Sequence, residues 1–428
     1  MDAVLRLGYD AAGNIARALA AVTPASDTKL LRALRARRGI RARYAAWARA
    51  ERAAARGMLW MHAPSVGEGL QARPVLQLAR RERPDLQLAY TFFSPSAVPF
   101  ARGLDVDFAD YLPFDTVGDG EAALDALAPR ALVFSKLDVW PNLARIAAER
   151  GVNLGLVSAT LAEGSSRRRG MAARLLSDAY ARLDAVGAID ARDAERLVDL
   201  GVRRDRIEVT GDTRYDQVWA RGRGVDRAAG LVAMLTSDRP TLVAGSTWPA
   251  DERRLLAAWT RVRATVPAAR LVIAPHEPTD SHLTPIERWA AEARVRSARL
   301  GGDDAPNADV VIVDRLGVLG DLYALATVAY VGGGFHAAGL HSVLEPAAFG
   351  VPVLFGPRYA NSRDAELLIV AGGGASEATE SGLESRLREW LTDGSAQREA
   401  GDAARELVGR GLGAAERSWK LVANLLGA

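Results

Sequence analysis

Cysteine is absent from this chain of 428 residues, and histidine occurs only five times. Without cysteine the chain forms neither disulfide bonds nor thiolate metal sites, which is typical of a reducing compartment. The histidines do not make a metal site either, because His276 and His282 lack helical ligand spacing. His336 and His341 lack the paired carboxylate of an HExxH pattern. We therefore expect no bound metal ion.

Long apolar runs are also absent. No window approaches the roughly 18 to 20 uncharged apolar residues of a membrane span. Residues 1–23, MDAVLRLGYDAAGNIARALAAVT, are interrupted by charged side chains and have no positive region ahead of a clean apolar core. We therefore do not interpret them as a signal peptide. We expect this segment to lie on a membrane at most, without crossing it.

The chain does contain a regular alternation of short apolar runs and helical stretches. The runs form one series at 58–63, 86–93, 131–135, 153–159, 185–190 and 207–211, and a second at 241–246, 270–275, 310–314, 328–333 and 351–356. Strands that alternate with helices form parallel sheets. We therefore predict an α/β protein of GT-B architecture, with two doubly wound, Rossmann-like domains facing each other across a cleft.

We predict four parts along the chain: a basic amphipathic segment (1–56), two Rossmann-like domains (57–215 and 216–404) and a C-terminal helix packed back on the first domain (405–428). The helical region from Ser385 to Leu426 is predicted to break at Gly394 and Gly401, since glycine weakens helices.

Residues 29–56 are strongly basic, although the net charge of the whole chain is only +3. They include one acidic residue, Glu51, and ten basic residues: Lys29, Arg32, Arg35, Arg37, Arg38, Arg41, Arg43, Arg49, Arg52 and Arg56. Apolar residues are interleaved with them. A basic amphipathic segment of this kind suits an anionic membrane surface or a phosphorylated lipid. A solvated helix face or a nucleic-acid contact would give the same composition.

Residues 330–357, YVGGGFHAAGLHSVLEPAAFGVPVLFGP, predict a strand, a glycine turn, a short helix and a second strand. Gly333 and Gly334 would let the backbone approach a ligand, and the helix N-terminus would face an anion. His341 and Glu345 are four residues apart, so we expect them on one helix face. This layout is typical of a nucleotide-sugar site at the carboxyl ends of parallel strands. A generic strand-to-helix turn would show the same glycines.

The motif HAPSVGE at 62–68 follows the first strand. Glu68 is predicted at a helix start, where a partly buried carboxylate can serve as general base. An acid that only stabilises the helix terminus would give the same pattern. Ser65 is a second candidate in this motif. Lys136 and Asp138 follow the strand ALVFS and point the same way if strand geometry continues; a solvated ion pair is the alternative.

Further candidates follow strands of the second series. Ser246 and Thr247 can hold a phosphate or cap the next helix. His276 can bond to a phosphate or a base. Asn361 and Arg363 follow the FGPRY turn, where an arginine can contact a carboxylate or phosphate, or form a surface ion pair.

Taken together, these residues resemble the Kdo transferases, which add 3-deoxy-D-manno-octulosonic acid (Kdo) to lipid A in lipopolysaccharide synthesis. The resemblance extends from about Trp60 to Gly374. The motifs that carry it are HAPSVGE (62–68), YLPFD (111–115), DVWPN (138–142), GSTWPADE (245–252), and 330–357 with FGPRYANSRD.

The resemblance implies a GT-B fold, a CMP-Kdo donor, a lipid A precursor as acceptor and inversion at the anomeric carbon. It implies no cofactor and no nucleic-acid partner. Glu68 would be the catalytic base, with the acceptor on 57–215 and the donor on 216–404. The protein would lie at the cytoplasmic face of the inner membrane, held peripherally through 29–56. The implied donor pocket comprises Ser246, Thr247, His276, Gly333, Gly334, His341, Glu345 as ribose contact, and Asn361.

Four positions depart from the family pattern. Lys136 and Asp138 replace the glutamates of ExExWP, Trp248 replaces a histidine, and Val318 stands where glutamate is frequent. These changes bear on the acceptor contacts and on the number of Kdo units added. Two alternatives stay open: another GT-B enzyme, such as a UDP-sugar transferase or epimerase, and a GT-B protein that binds nucleotide or lipid without turnover.

Overall fold

The computed structural model describes residues 3–22 and 28–427. The chain divides into unit 1, which comprises Met1–Gln217 and Leu412–Ala428, and unit 2, which comprises Val218–Gly411. The basic segment belongs to unit 1. The last boundary falls at Leu412 where 405 was predicted, because one continuous helix runs past 405 to Arg410.

Each unit is built on a sheet of seven parallel strands. The strands of unit 1 are β1 (Met58–His62), β2 (Gln87–Phe92), β3 (Phe108–Tyr111), β4 (Ala131–Ser135), β5 (Asn153–Ala159), β6 (Ala185–Ala188) and β7 (Ile207–Val209). Those of unit 2 are β8 (Thr241–Thr247), β9 (Arg270–Pro275), β10 (Ser297–Arg299), β11 (Val310–Ile312), β12 (Val328–Val331), β13 (Val353–Phe355) and β14 (Gly374–Ser376). The spatial orders are β3-β2-β1-β4-β5-β6-β7 and β10-β11-β9-β8-β12-β13-β14. The strand order therefore reverses between β1 and β4 and between β8 and β12.

Helices precede, connect and follow the strands. They are α1 (Ala3–Val22), α2 (Lys29–Arg35), α3 (Ile40–Glu51), α4 (Val66–Glu82), α5 (Val98–Arg102), α6 (Val117–Leu127), α7 (Pro141–Glu149), α8 (Gly170–Ala181), α9 (Ala191–Asp199), α10 (Arg214–Gly224), α11 (Gly230–Leu235), α12 (Pro249–Thr265), α13 (Asp280–Glu292), α14 (Leu319–Leu322), α15 (Leu344–Ala348), α16 (Arg363–Ala371), α17 (Glu380–Thr392), α18 (Gly394–Arg410) and α19 (Ala414–Leu425). None of these helices combines the length and the apolarity that crossing a bilayer requires.

The central strands are apolar on both faces, because helices cover both sides of a parallel sheet. All five residues of β1 are buried. Met58 and Trp60 join one hydrophobic cluster of unit 1, and Leu59 and Met61 join the other, as the two-residue repeat of a strand requires.

The C-terminal helix α19 packs on unit 1. The Trp419 indole N–H donates to Glu82 of α4 at 2.7 Å, and the Asp216 carboxylate accepts the amides of Gly413 and Ala415. The predicted helix break at Gly401 was wrong. Gly401 lies inside α18, where a Cβ atom would come within 2.3 Å of the Gly350 carbonyl oxygen, so its glycine permits close backbone packing.

Residues 29–56 form α2 and α3, and most of their large apolar side chains pack within unit 1, although Leu30 is 67% exposed. Ile40 and Tyr44 are buried in the core. Arg37 is 3% exposed and donates to the carbonyls of Leu112 and Ala33, while Arg43 pairs with Asp110. Several of the arginines therefore hold the fold together. The Lys29 side chain lies outside the described part of the structure.

Helix α1 is tied to unit 1 through two of the family motifs. The Tyr9 hydroxyl donates to Asp115 of YLPFD at 2.8 Å, and Asn142 of DVWPN donates to Asp10. The other side of α1 exposes apolar side chains to solvent: Leu7, Ile15, Leu19 and Val22, which are 55 to 76% exposed.

Candidate functional site

The two reversals of strand order bring the sequence motifs together. In unit 1, HAPSVGE follows β1 and Lys136 follows β4, and these strands are neighbours. In unit 2, GSTW closes β8 and the glycine turn follows β12, again neighbours. Loops at the carboxyl ends of strands that flank such a reversal form the usual ligand site of an open α/β sheet. We call these the Glu68 site and the glycine-loop site.

Glu68 lies in the first turn of α4, as predicted, and its side chain is 18% exposed. The Ser65 hydroxyl donates to one carboxylate oxygen, and Lys136 Nζ lies 3.2 Å from the other. Burial raises the pKa of Glu68, but the Ser65 hydrogen bond and the Lys136 charge outweigh it, so that the pKa is lowered overall. A carboxylate held in this way is ionised at neutral pH and can accept a proton.

Lys136 and Asp138 lie beyond the end of strand β4 and have different ion-pair partners. Strand β4 ends at Ser135, and Lys136 adopts a left-handed conformation with φ of 69°. Lys136 pairs with Glu68, whereas Asp138 pairs with Arg167 at 2.6 Å. Burial raises the pKa of Asp138, although Arg167 opposes that effect. Lys136 and Asp138 therefore do not pair with each other, although the charges of Lys136 and Glu68 both act on the Asp138 carboxylate.

Two buried motif residues, His62 and Asp115, support the loops of the Glu68 site. His62 is fully buried; its Nε2 accepts from the Trp140 indole at 3.2 Å, and burial lowers its pKa to about 3. The Asp115 carboxylate accepts the amides of Asn142 and Leu143 at the start of α7. Burial raises the pKa of Asp115 to about 6. These residues orient the loops after β1 and β4.

The glycine-loop site is organised by Asp251 of the GSTWPADE motif, for which the sequence predicted no role in the site. Asp251 is fully buried in the first turn of α12. Its carboxylate accepts hydrogen bonds from the amides of Trp248, Gly333 and Phe335 and from the Tyr330 hydroxyl, at 2.8 to 3.1 Å. An acid three residues beyond a helix start predicts a capping role, but nothing local predicts contacts with residues about 80 positions away.

The glycine turn follows β12 as predicted, but its packing and the extent of the following helix were not predicted. The Gly333 amide is already bonded to Asp251. A Cβ atom on Gly332 would lie 2.2 Å from the Ser246 carbonyl oxygen, so this glycine serves loop-to-loop packing. The predicted helix is confined to α15, which has five residues and begins at Leu344. His341 precedes it, so His341 and Glu345 do not share a helix face.

An indole and three imidazoles stack at this site. Trp248 lies parallel to His336 with ring centroids 4.2 Å apart and close to His276 at 4.7 Å. The Trp248 indole N–H donates to Nε2 of His341 at 3.0 Å. Burial and the neighbouring His276 lower the pKa of His341 to about 4, so its ring is neutral at pH 7. Trp248, a departure from the family pattern, thus contacts two of the predicted donor residues.

The other predicted donor residues are arranged as follows. The Thr247 hydroxyl is turned towards Glu252 at 2.9 Å, and Ser246 adopts a left-handed φ of 53°. The Asn361 amide forms two hydrogen bonds of 3.0 Å with the backbone of Leu340. Burial raises the pKa of Glu345.

Arg363 is the first residue of α16. Among the described residues, no group of three or more histidine, aspartate or glutamate side chains is arranged to hold a metal ion.

Comparisons with known proteins agree with these motifs. Residues 34–217 match the family described as "3-Deoxy-D-manno-octulosonic-acid transferase (kdotransferase)". A 3-deoxy-D-manno-octulosonic acid transferase of Bordetella pertussis is 30% identical over 379 residues, covering 86% of this chain and 87% of its own length. One of Haemophilus influenzae is 24% identical over 365 residues, covering 84% of this chain and 85% of its own length.

A UDP-GlcNAc 2-epimerase of Neisseria meningitidis, solved with UDP-GlcNAc, has a TM-score of 0.63 at 11% identity, covering 86% of this chain and 99% of its own. The fold is that of the GT-B glycosyltransferases and epimerases, as predicted.

Proposed function

Because the chain belongs to the family of Kdo transferases, we propose that it transfers Kdo from CMP-Kdo to a lipid A precursor with inversion at the anomeric carbon. Membership of the family makes it a glycosyltransferase of lipopolysaccharide biosynthesis. The observation that carries the finer proposal is the Glu68 carboxylate, which is partly buried beside the Ser65 hydroxyl and the Lys136 ammonium group.

In the proposed reaction, Glu68 takes the proton of the acceptor hydroxyl. The hydroxyl oxygen attacks the anomeric carbon of Kdo while the bond from that carbon to the phosphate oxygen of CMP breaks, and CMP leaves with the bonding electrons. General-base catalysis of this type contributes about 10² to 10⁴ in rate. CMP departs as a phosphate monoester, which cationic groups and backbone amides can stabilise without a metal ion or a cofactor.

The donor contacts are proposed at the glycine-loop site. The Gly333 amide is already occupied, so we assign donor recognition mainly to side chains, with the stacked rings of His276 and His341 facing the nucleotide and Glu345 facing the ribose. The remaining proposed contacts are Ser246, Thr247, Gly334, Asn361 and Arg363.

The proposal is tested by incubating the purified chain with CMP-Kdo and a lipid A precursor in the presence of EDTA, and by mass spectrometry of the lipid product. We expect the mass of the acceptor to rise by one or more Kdo units. Thermal stabilisation by UDP but not by CMP, together with an unchanged lipid mass, would contradict the proposal and favour a UDP-sugar enzyme.

Lys136→Met is expected to move the acidic limb of the pH profile of kcat/KM to higher pH. The base is active when ionised, and the limb follows its pKa in the free enzyme. The Lys136 charge now helps to lower the pKa of Glu68, so its removal raises that pKa. Lys136→Arg keeps a positive charge and should leave the limb nearly in place. An unmoved limb in Lys136→Met would show that Glu68 is not the titrating base.

We propose a peripheral membrane association through α1 as well as through the basic residues of 29–56. The exposed residues Ile15, Leu19 and Val22 lie on one side of the helix, as in helices that lie in the plane of a bilayer interface. The exposed arginines Arg32, Arg35 and Arg49 add positive charge for anionic lipids.

The double variant Ile15→Asp/Leu19→Asp is expected to lower partitioning into anionic vesicles by at least about tenfold, since each buried aliphatic side chain contributes about 1.5 to 3 kcal/mol. Vesicle co-sedimentation measures this change. Val370→Asp is the control, because Val370 is 86% exposed in unit 2. Equal losses in both variants would argue against a specific role of α1.

A further inference from the structure

Unit 1 contains an arginine-lined cavity of about 570 Å³, formed by α1, the turn between α2 and α3, and the start of α6. Its charged lining residues are Arg17, Arg37, Arg38, Arg41 and Asp119. Four positive groups therefore face one carboxylate. The volume lies within the range of small-ligand pockets, and the excess positive charge selects an anionic ligand.

Two of the four arginines support the cavity walls, and the other two remain partly exposed. Arg37 is buried and bonded to backbone carbonyls, and Arg38 Nε donates to the carbonyl of Ala20 at 2.8 Å, so both support the walls. Arg17 and Arg41 are each 45% exposed and converge on a single oxygen of Asp119, which is itself 1% exposed. One carboxylate balances only one of these two guanidinium groups. The pair is thus held in position and keeps a net positive charge.

The same helix supplies both the cavity and the exposed apolar surface. Asn14, Arg17, Ala18 and Ala21, spaced by three or four residues, line the cavity. Ile15, Leu19 and Val22, each one position further along the chain, form the adjacent exposed stripe. A ligand that fits both surfaces has an anionic head for the arginines and hydrocarbon chains for the stripe.

We propose that this cavity binds a phosphate group on the headgroup of the acylated glycolipid acceptor, with the acyl chains beside the exposed face of α1. This inference rests on the proposed function, since the acceptor is a lipid A precursor there. Arginine suits phosphate because its planar guanidinium group donates two parallel hydrogen bonds to phosphate oxygens. The cavity lies in the same unit as Glu68, so it anchors the acceptor on the unit that holds the proposed base.

The test measures binding of the full chain to phosphatidylcholine vesicles that contain a phosphorylated lipid A precursor, its dephosphorylated form, or phosphatidylglycerol. We expect Arg17→Gln/Arg41→Gln to weaken binding to the phosphorylated precursor by about tenfold or more, as for the loss of charge-assisted hydrogen bonds. Binding to the dephosphorylated form should not change. Arg192→Gln removes one charge from an exposed position of α9 in the same unit, outside both the cavity and 29–56, and should have little effect.

Two results would overturn the proposal. One is unchanged affinity of the double variant for the phosphorylated precursor, and the other is an equal loss for phosphatidylglycerol, which would assign the arginines to the bulk membrane. If the double variant does not fold, Arg17→Gln alone keeps the Arg41–Asp119 pair and should still weaken binding. Binding does not require turnover. A chain without transferase activity would therefore refute the proposed function, whereas the vesicle test would still show whether the cavity binds the phosphate group.

Discussion

Glu68→Gln is expected to lower kcat for Kdo transfer by about 10³-fold, within the range that a general base contributes. Glutamine keeps the size of the side chain and can still accept the Ser65 hydrogen bond, but it cannot take a proton from the acceptor hydroxyl. Stabilisation by CMP should be unchanged, since the proposed donor residues all lie in unit 2. Product formation followed by mass spectrometry measures the loss.

Glu82→Gln is the matched control for this variant. Glu82 lies at the other end of α4, and glutamine retains an oxygen that accepts the Trp419 indole N–H. The control should keep full activity. A Glu68→Gln rate within tenfold of the wild-type rate would refute the role of Glu68 as base.

Asp251→Ala is expected to destabilise unit 2 by about 3 to 5 kcal/mol and to abolish stabilisation by CMP. The change leaves three amides and the Tyr330 hydroxyl without their acceptor, and each unsatisfied buried donor costs about 1 to 3 kcal/mol, partly relieved by rearrangement. The loops after β8 and β12 then lose their common anchor. Urea unfolding of the full chain gives the stability, and thermal shift with CMP gives the binding.

Asp280→Ala tests whether the effect is specific to the buried carboxylate. Asp280 also lies in the first turn of a helix of unit 2, but its side chain is 91% exposed. We expect a change within about 0.5 kcal/mol there. A stable Asp251→Ala protein that still responds to CMP would show that the glycine loop does not depend on this anchor.

The sequence predicted the strands at the centre of both sheets and the edge strand β7, but not the other three edge strands. The central strands are short continuous apolar runs, because both of their faces are buried. Strands β3, β10 and β14 lie at edges. SAR and GAS consist of polar or small residues, and FADY buries only Phe108. With one neighbour and an exposed face, they carry no apolar pattern that a sequence can reveal.

In the candidate sites, too, local features could be predicted from the sequence and long-range contacts could not. The motif containing Glu68 and its place at a helix start could be predicted, since both depend on residues close together in the chain. The contact between Glu68 and Lys136 could not, because it depends on the left-handed conformation of Lys136. The glycine turn could be predicted from the sequence, but the close packing of Gly332 against the Ser246 carbonyl oxygen and the bond from the Gly333 amide to Asp251 could not.

The sequence by itself therefore determined the family, the two parallel sheets and the motifs at the strand ends, because apolar periodicity and motif spacing depend only on residues close together in the chain. Only the tertiary structure decided which side chains meet. It paired Lys136 with Glu68 and bonded Asp251 to the glycine loop. It also buried Ile40 and Tyr44 of residues 29–56 while leaving the apolar side of α1 exposed. These outcomes depend on contacts between residues far apart in the chain, which no local pattern specifies.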